Sequence, residues 1–368
     1  MQAISLRGER PGGVVETLGL WITKAALRPV QALMAWPSLL FLLALTAMLL
    51  RHPDVAFYEI DRVATALLIV GAVGRALVLR QRLFVFERIC WPMFGLLVLT
   101  IGSALRQPFE NETWSLLASK FIVPFLLFHL AGLVFTGEKQ FRQFEIFAAI
   151  VLAYLSFTAI AFLAGMHSLI LPQFILDENL GFQAERARGP LLQAVANGVS
   201  LSILGMLVLH AYRRGSLRGW KIALILASVP IAILATMTRT IWLSFAGAVL
   251  VLMIHSGNRT VRRACLGLAV VAGLTLVVVL NSRDLGGTLT ERFEERSPVD
   301  YRQAMYAGGW DMFLERPLAG WGFHQMPAEL PRHVSGYKEK VLYPHNTYLE
   351  LLVEHGIIGL ALYAWLMW

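Results

Sequence analysis

The sequence predicts an all-α fold, a polytopic transmembrane helical bundle with a large loop that contains short helices on one side of the membrane. Three observations support this prediction. The chain of 368 residues is 57% hydrophobic and only 15% charged, a larger apolar share than the core of a soluble domain buries. Its apolar residues form blocks of about 20, the length of helix that crosses the hydrocarbon of a bilayer. Basic clusters separate these blocks, and the sequence lacks the alternating polarity of a membrane β-barrel.

Nine apolar blocks precede the longest polar stretch, and each of them predicts one membrane span. We expect these spans at residues 32–50, 62–79, 89–105, 114–135, 146–165, 191–211, 220–236, 240–255 and 264–280. They form a transmembrane bundle at residues 1–280. A loop domain follows at 281–346, and residues 347–368 form a re-entry helix and the start of a further span. Because the segment after Gly356 is too short to cross a bilayer, we expect the sequence to be a fragment of a longer protein.

The loops between the spans alternate in charge, which predicts their side of the membrane, because Lys and Arg accumulate in cytoplasmic loops. The predicted cytoplasmic residues are Arg7, Arg10, Lys24, Arg28, Arg80, Arg82, Lys139, Arg142, Arg213, Arg214, Arg218, Lys221, Arg259, Arg262 and Arg263. The other loops are acidic or mixed and contain Asp54, Glu59, Asp61, Arg106, Glu110, Glu112, Asp177, Glu178 and Glu185. Residues 167–190, 236–240 and 281–344 therefore lie on the outer face. The net charge of +8 is explained by topology, and it does not indicate nucleic-acid binding.

Several cationic side chains gather on this outer face. Arg239 lies in a tight turn between two spans, Arg186, Arg188 and Arg302 lie on the same side, and Lys120 lies about two turns into a span from that side. Cations held next to lipid usually have an anionic partner and mark functional positions. A guanidinium group can donate two parallel hydrogen bonds to a phosphate, so the set predicts a diphosphate site. For any one arginine alone, a lipid-headgroup anchor is the alternative.

His345 lies where the outer loop re-enters the membrane, directly after Pro344. Imidazole titrates near neutral pH and can accept a proton from an attacking alcohol. Asn346 or Thr347 could cap the following helix. A structural or headgroup-binding histidine is the alternative for His345. The sequence has no His and Cys spacing typical of a metal site and no phosphate-binding loop, so we expect no metal and no cofactor.

The outer loop also contains a predicted helix at residues 301–315. Asp300 is the expected N-cap, and Pro317 ends the helix. Gly320 and Gly322 then predict a turn.

Three stretches resemble one known family. Residues 344–359 resemble the His-Asn, Leu, Glu, Gly-x-x-Gly signature of the O-antigen ligase and O-antigen polymerase superfamily. Arg302, the helix after it and residues 317–322 are similar to the family's Arg, amphipathic helix and Pro-x-x-Gly-x-Gly segment. Residues 236–243 resemble its Thr/Ser-Arg helix start. The resemblance runs from about Arg186 to the end of the sequence, and the first five spans match only in hydropathy.

The resemblance implies a glycosyltransferase of the GT-C kind, an O-antigen ligase in the bacterial inner membrane with its active site facing the periplasm. The donor would be a glycan on undecaprenyl diphosphate and the acceptor a sugar hydroxyl of lipid A-core, among membrane lipids and without metal or nucleic acid. Arg239, Arg302 and His345 would be catalytic. The residues that would bind substrate are Arg186, Arg188, Lys120 and Asn346.

Other functions are compatible with the same residues. An O-antigen polymerase uses the same donor and the same signature, and related oligosaccharyltransferases use a protein hydroxyl as acceptor. From a different class, a lipid-linked glycan flippase or transporter could also bind a diphosphate through arginines. A transporter site usually lies near the midplane between repeated halves, whereas these cations gather on one face and no internal repeat is evident. A non-catalytic scaffold for polysaccharide assembly is a further alternative.

Overall fold

A computed structural model describes residues 33–52, 60–83, 87–255, 257, 259–281, 297–335 and 342–368. Within these ranges all regular secondary structure is helical, which confirms the predicted all-α class. Four helical segments are long and apolar enough to cross a membrane, namely Asn111–Val134, Glu138–Leu163, Ala194–Arg214 and Thr347–Met367. The predicted cytoplasmic residues Arg7, Arg10, Lys24 and Arg28 lie outside the described residues, as do Asp54 and Glu59 of the next loop.

A helix occurs at each of the nine predicted spans. In chain order these are α1 (Pro37–Leu49), α2 (Ile60–Val78), α3 (Cys90–Ala104), α4 (Asn111–Leu117) joined to α5 (Val123–Val134) by a π-helical turn (Ala118–Ile122), α6 (Glu138–Leu163), α7 (Ala194–Arg214), α8 (Trp220–Ala235), α9 (Arg239–His255) and α10 (Arg259–Asn281). Several of these helices are shorter than a full span. That all nine cross the bilayer therefore stays a prediction.

Helix α6 begins at Glu138, although the hydropathy pattern predicts a start at residue 146. The polar residues of its first turns bind other parts of the protein. Gln143 accepts a hydrogen bond from Ser38 (2.8 Å), and the buried Glu145 accepts one from Ser216. Polar side chains with such partners can occupy a helix that hydropathy alone would end.

The chain divides into two compact units, and the first consists of Met1–Gln81 and Leu133–Val277. Its core lies among α6 to α10, where apolar side chains interdigitate, including Leu152, Leu155, Leu201, Val208 and Ile233. Between α6 and α7, short 3-10 turns shape the outer loop at His167–Leu169, Gln173–Leu176 and Gly189–Leu191. The long apolar helices α6 and α7 thus carry the loop between them at their ends.

The second unit consists of Arg82–Gly132 and Val278–Trp368. Besides α3 to α5 it contains α11 (Ser297–Glu315), α12 (Met326–Glu329) and α13 (Thr347–Met367). The predicted loop helix is present and ends at Glu315 as expected. It starts at Ser297, however, so Asp300 lies in its first turn and is not the N-cap.

Helix α11 packs closely on the start of α13 and on the segment after α12 because it carries one glycine at each contact. A Cβ atom on Gly309 would lie 2.8 Å from Leu349 Cδ2, and one on Gly308 would lie 2.5 Å from Val334 Cγ2. Apolar side chains complete this small core, namely Met305, Met312, Met326, Leu330, Val334, Leu342, Leu349 and Val353. The loop domain between α10 and α13 therefore has a packed interior of its own.

Helix α13 contains a break at Gly356, whose φ of 64° and ψ of −164° are not helical. The segment after Gly356 was expected to be too short to span. The amphipathic turns before the break continue into it, however, so the whole element Thr347–Met367 is long and apolar enough to cross a membrane. The re-entry helix and the further span are thus two halves of one interrupted helix.

Candidate active site

The break in α13 is filled by the loop that follows α11. In an unbroken helix the Ile357 N–H would donate to the Val353 carbonyl, but here it donates to Pro317 O (2.9 Å). Trp321 N–H donates to Val353 O (2.8 Å), and Gly322 N–H donates to Glu354 O (2.9 Å). The two motifs singled out in the sequence, residues 317–322 and 344–359, therefore form one hydrogen-bonded assembly.

Two glycines make this close approach of backbones possible. A Cβ atom on Gly356 would lie 2.2 Å from Leu318 O, and one on Gly320 would lie 2.4 Å from the Glu354 carbonyl carbon. Both residues also have positive φ angles, 64° and 71°, which L-residues with a Cβ rarely adopt. Glycine is thus required at both positions for two separate reasons.

His345 lies at the outer end of this assembly, just before α13. Its side chain is exposed, its φ is 50°, and the preceding Pro344 is buried. The Asn346 side-chain oxygen accepts hydrogen bonds from Tyr348 N–H (3.1 Å) and Leu349 N–H (3.3 Å), so the predicted N-cap is Asn346. The cap fixes the start of the helix and leaves the imidazole facing outward.

Tyr301 connects α11 to the histidine segment and was not identified from the sequence. Its hydroxyl donates to Tyr343 O (3.3 Å) and accepts from Tyr343 N–H (3.4 Å). Its ring centroid lies 6.5 Å from that of His345. Arg302, the next residue along α11, is exposed. The structure therefore brings the segments that carry Arg302 and His345 together in one unit. The position of Tyr301 next to Arg302 is the sequence signal that could have identified Tyr301.

Lys120 belongs to the same unit and lies in the π-helical turn between α4 and α5. Single π-helical turns inside α-helices frequently occur at functional sites. Its ammonium group forms an ion pair with Glu350 on α13, at 3.0 Å. The side chain predicted to bind substrate thus has a carboxylate partner in the first turn of α13, shortly after His345.

Buried polar residues surround the break, and the sequence analysis missed them. The backbone N–H groups of His324 and Met326 hydrogen-bond to the carboxylate of Glu354, which is 4% exposed. His355 is stacked on Phe323, with Nε2 at 3.4 Å from Thr100 Oγ1. A carboxylate and a histidine beside a glycine, in an otherwise apolar segment, are the sequence signal for such a polar cluster.

In the other unit, Arg239 is the first residue of α9 and follows a compact turn. Met237 has a φ of 48°, Thr238 Oγ1 donates to Thr236 O (2.9 Å), and Ile241 N–H donates to Thr238 O (3.1 Å). The turn is held by its own backbone and hydroxyl groups. Arg239 is consequently fixed at a helix end and remains partly exposed.

Arg188 lies in the loop between α6 and α7 of the same unit, but its guanidinium group is directed into the loop. It donates to the carbonyl oxygens of Ile175 (2.9 Å), Leu180 and Asp177, and only 1% of the residue is exposed. Burial lowers the pKa of Arg188, while the nearby Asp177 and the loop's two glutamates act in the opposite direction. This geometry gives Arg188 a structural role and provides no support for the predicted substrate contact.

Arg186 differs from Arg188 because it is partly exposed and pairs with the exposed Glu185, at 3.2 Å. The next residue, Ala187, donates its N–H to Ala235 O at the end of α8 (3.2 Å) and accepts from Asn197 Nδ2 (2.8 Å). The first bond ties the loop to the end of α8, where the Arg239 turn begins, and the second ties it to α7. Arg186 and Arg239 are therefore carried by adjoining segments of one unit.

The fold and these residues define a polytopic membrane protein, helical throughout the described residues, whose candidate site residues lie on helices and in the loops beside them. The C-terminal part is similar to one family. Residues 222–364 match the family model described as O-antigen ligase, in agreement with the predicted resemblance to the O-antigen ligase superfamily. No curated protein and no solved structure matches the chain. The family indicates an O-antigen ligase type of function and a glycosyltransferase-like enzyme.

Proposed function

We propose that this protein is an O-antigen ligase that transfers glycan from undecaprenyl diphosphate to a sugar hydroxyl of lipid A-core at the periplasmic face of the bacterial inner membrane. The family match is the observation that carries the proposal, because residues 222–364 include Arg239, Arg302 and His345. The paired assembly of residues 317–322 with the broken helix supports it further. It fixes the segment after His345 without using the imidazole.

Arginine side chains act on the donor in this proposal. Departure of the lipid diphosphate concentrates negative charge on phosphate oxygens, which fixed cations stabilise in the transition state. Arg239 at the start of α9 and Arg302 on α11 supply that charge, and Arg186 assists. Arg188 instead holds the outer loop through its three carbonyl contacts. Lys120 contributes a further positive charge, which Glu350 partly balances.

His345 acts on the acceptor. It orients the sugar hydroxyl and takes its proton while the oxygen attacks the anomeric carbon, as a general base does. The bond to the diphosphate oxygen breaks as the new glycosidic bond forms, and direct displacement inverts the anomeric carbon. The reaction of this GT-C type enzyme needs no metal, because guanidinium groups stabilise the charge on the leaving diphosphate in place of a metal ion.

The experiment that tests the proposal is transfer in vitro with the purified protein, undecaprenyl diphosphate-linked glycan, lipid A-core and a chelator. We compare the wild type with His345→Ala and with His167→Ala, an exposed outer-loop histidine outside the proposed site. Product on lipid A-core that disappears only in His345→Ala supports a metal-independent ligase. Longer lipid-linked glycan without that product would identify a polymerase. Unchanged transfer by His345→Ala would exclude His345 as the general base.

A further inference from the structure

A groove in the first unit lies at the opposite helix ends from Arg186 and Arg239 of the same unit. Its volume is about 420 Å³, and residues of α7, α8 and α10 line it. Most of the lining is apolar, including Leu209, Leu226, Leu268 and Val271, while Tyr212 and Arg263 supply its polar groups. The groove therefore combines a hydrocarbon-like wall with one cation.

The sequence places this groove at the cytoplasmic surface. Leu209 and Tyr212 are near the end of α7, Leu226 is in the first half of α8, and Arg263 is near the start of α10. The connections at this end contain seven basic residues, namely Arg213, Arg214, Arg218, Lys221, Arg259, Arg262 and Arg263. Such basic connections face the cytoplasm.

The seven cations outnumber the carboxylates that α6 brings to this end of the unit, Glu138 and Glu145. The sequence contains no Asp or Glu between Ala187 and Asn281. Glu145 of α6 reaches this end of the unit, but it is buried and accepts a hydrogen bond from Ser216. This excess of positive charge allows an anion from outside the chain to complement Arg263. At that depth, lipid phosphate is the abundant anion.

We propose that the groove binds an anionic phospholipid of the cytoplasmic leaflet, with an acyl chain against the apolar wall and its phosphate at Arg263. Basic pockets between transmembrane helices on the cytoplasmic side are suited to such headgroups. Gly267 keeps the wall open, because a Cβ atom at this position would meet nothing within 4 Å. This site is separate from the glycan-transfer site and does not depend on the proposed function.

Native mass spectrometry of the whole protein in detergent tests the proposal with dioleoyl phosphatidylglycerol as the anionic probe and dioleoyl phosphatidylethanolamine as the zwitterionic one. We expect the wild type to retain phosphatidylglycerol preferentially. Arg263→Gln should weaken this binding about five-fold, which corresponds to one lost basic contact near the membrane surface. Arg262→Gln is the matched control, because it removes the same charge from the same turn but does not line the groove.

A second pair of variants tests the apolar wall. Gly267→Leu should fill the groove and abolish preferential binding, whereas Gly273→Leu, at another open position of α10 outside the lining, should leave it intact. Equal effects of Arg262→Gln and Arg263→Gln would overturn the proposal in favour of a diffuse surface charge. No preference for phosphatidylglycerol, or a Gly267→Leu variant that changes only the oligomeric state, would overturn it as well.

Discussion

At the residue scale, Arg186 and Arg188 are two residues apart and have different environments. We predict that Arg188→Ala lowers the free energy of unfolding by about 3 kcal/mol, because three loop carbonyls would lose their buried donor. Arg186→Ala should leave the stability nearly unchanged and reduce glycan transfer. Thermal unfolding in detergent and the transfer assay measure the two effects. An Arg188→Ala protein that is fully stable but inactive would show that Arg188 binds substrate after all.

Asn346 permits a test that separates a helix cap from a substrate ligand. Asn346→Ala removes the cap and should cost about 1 kcal/mol, whereas Asn346→Asp keeps a capping oxygen and should retain nearly all stability. The Asp variant also lacks the amide donor. Normal transfer by Asn346→Asp would therefore assign the residue to the cap. Loss of transfer in a stable Asn346→Asp protein would assign it to substrate binding.

At the element scale, the broken helix α13 and the loop at residues 317–322 each depend on the other for their conformation. We predict that Gly356→Ala and Gly320→Ala each destabilise the second unit and abolish transfer, because the new Cβ atom would overlap with backbone atoms that cannot move aside. Limited proteolysis and thermal unfolding would detect the change.

Gly132→Ala is the matched control for these variants, since a Cβ atom there meets nothing within 4 Å and α5 is regular. Alanine also has the higher helix propensity, so this variant should be as stable as the wild type. Wild-type stability of Gly356→Ala would contradict the close approach of the two backbones.

The elements were largely predictable from the sequence, and their polar contacts were not. Blocks of apolar residues identify a helix at each of the nine predicted spans, because a helix that crosses lipid needs a characteristic length and polarity. The early start of α6 depends on Ser38 and Ser216, which are distant in sequence. The burial of Arg188 and the ion pair of Lys120 with Glu350 likewise depend on partners that only the folded chain brings near. Hydropathy contains no information about such partners.

At the scale of the whole molecule, the alternation of charge predicts which loops are accessible from each side. We predict that Glu178→Cys reacts with a membrane-impermeant maleimide in intact spheroplasts, whereas Gly257→Cys reacts only after permeabilisation. Both positions are exposed, and the native Cys90 and Cys265 are buried, so their background labelling should be low. The reverse pattern would invert the topology and place the arginines on the wrong side for a periplasmic acceptor.

The interlocked backbones of α13 and the 317–322 loop have a consequence for exchanging parts between members of the superfamily. The two segments approach each other so closely at Gly320 and Gly356 that backbone atoms of one lie where a Cβ atom of the other would be. A chimera that takes this loop from another member to alter acceptor choice must therefore also take the matching first part of α13 from that member. If only one of the two segments is exchanged, we expect steric overlap between them, even when the two parent proteins are similar elsewhere.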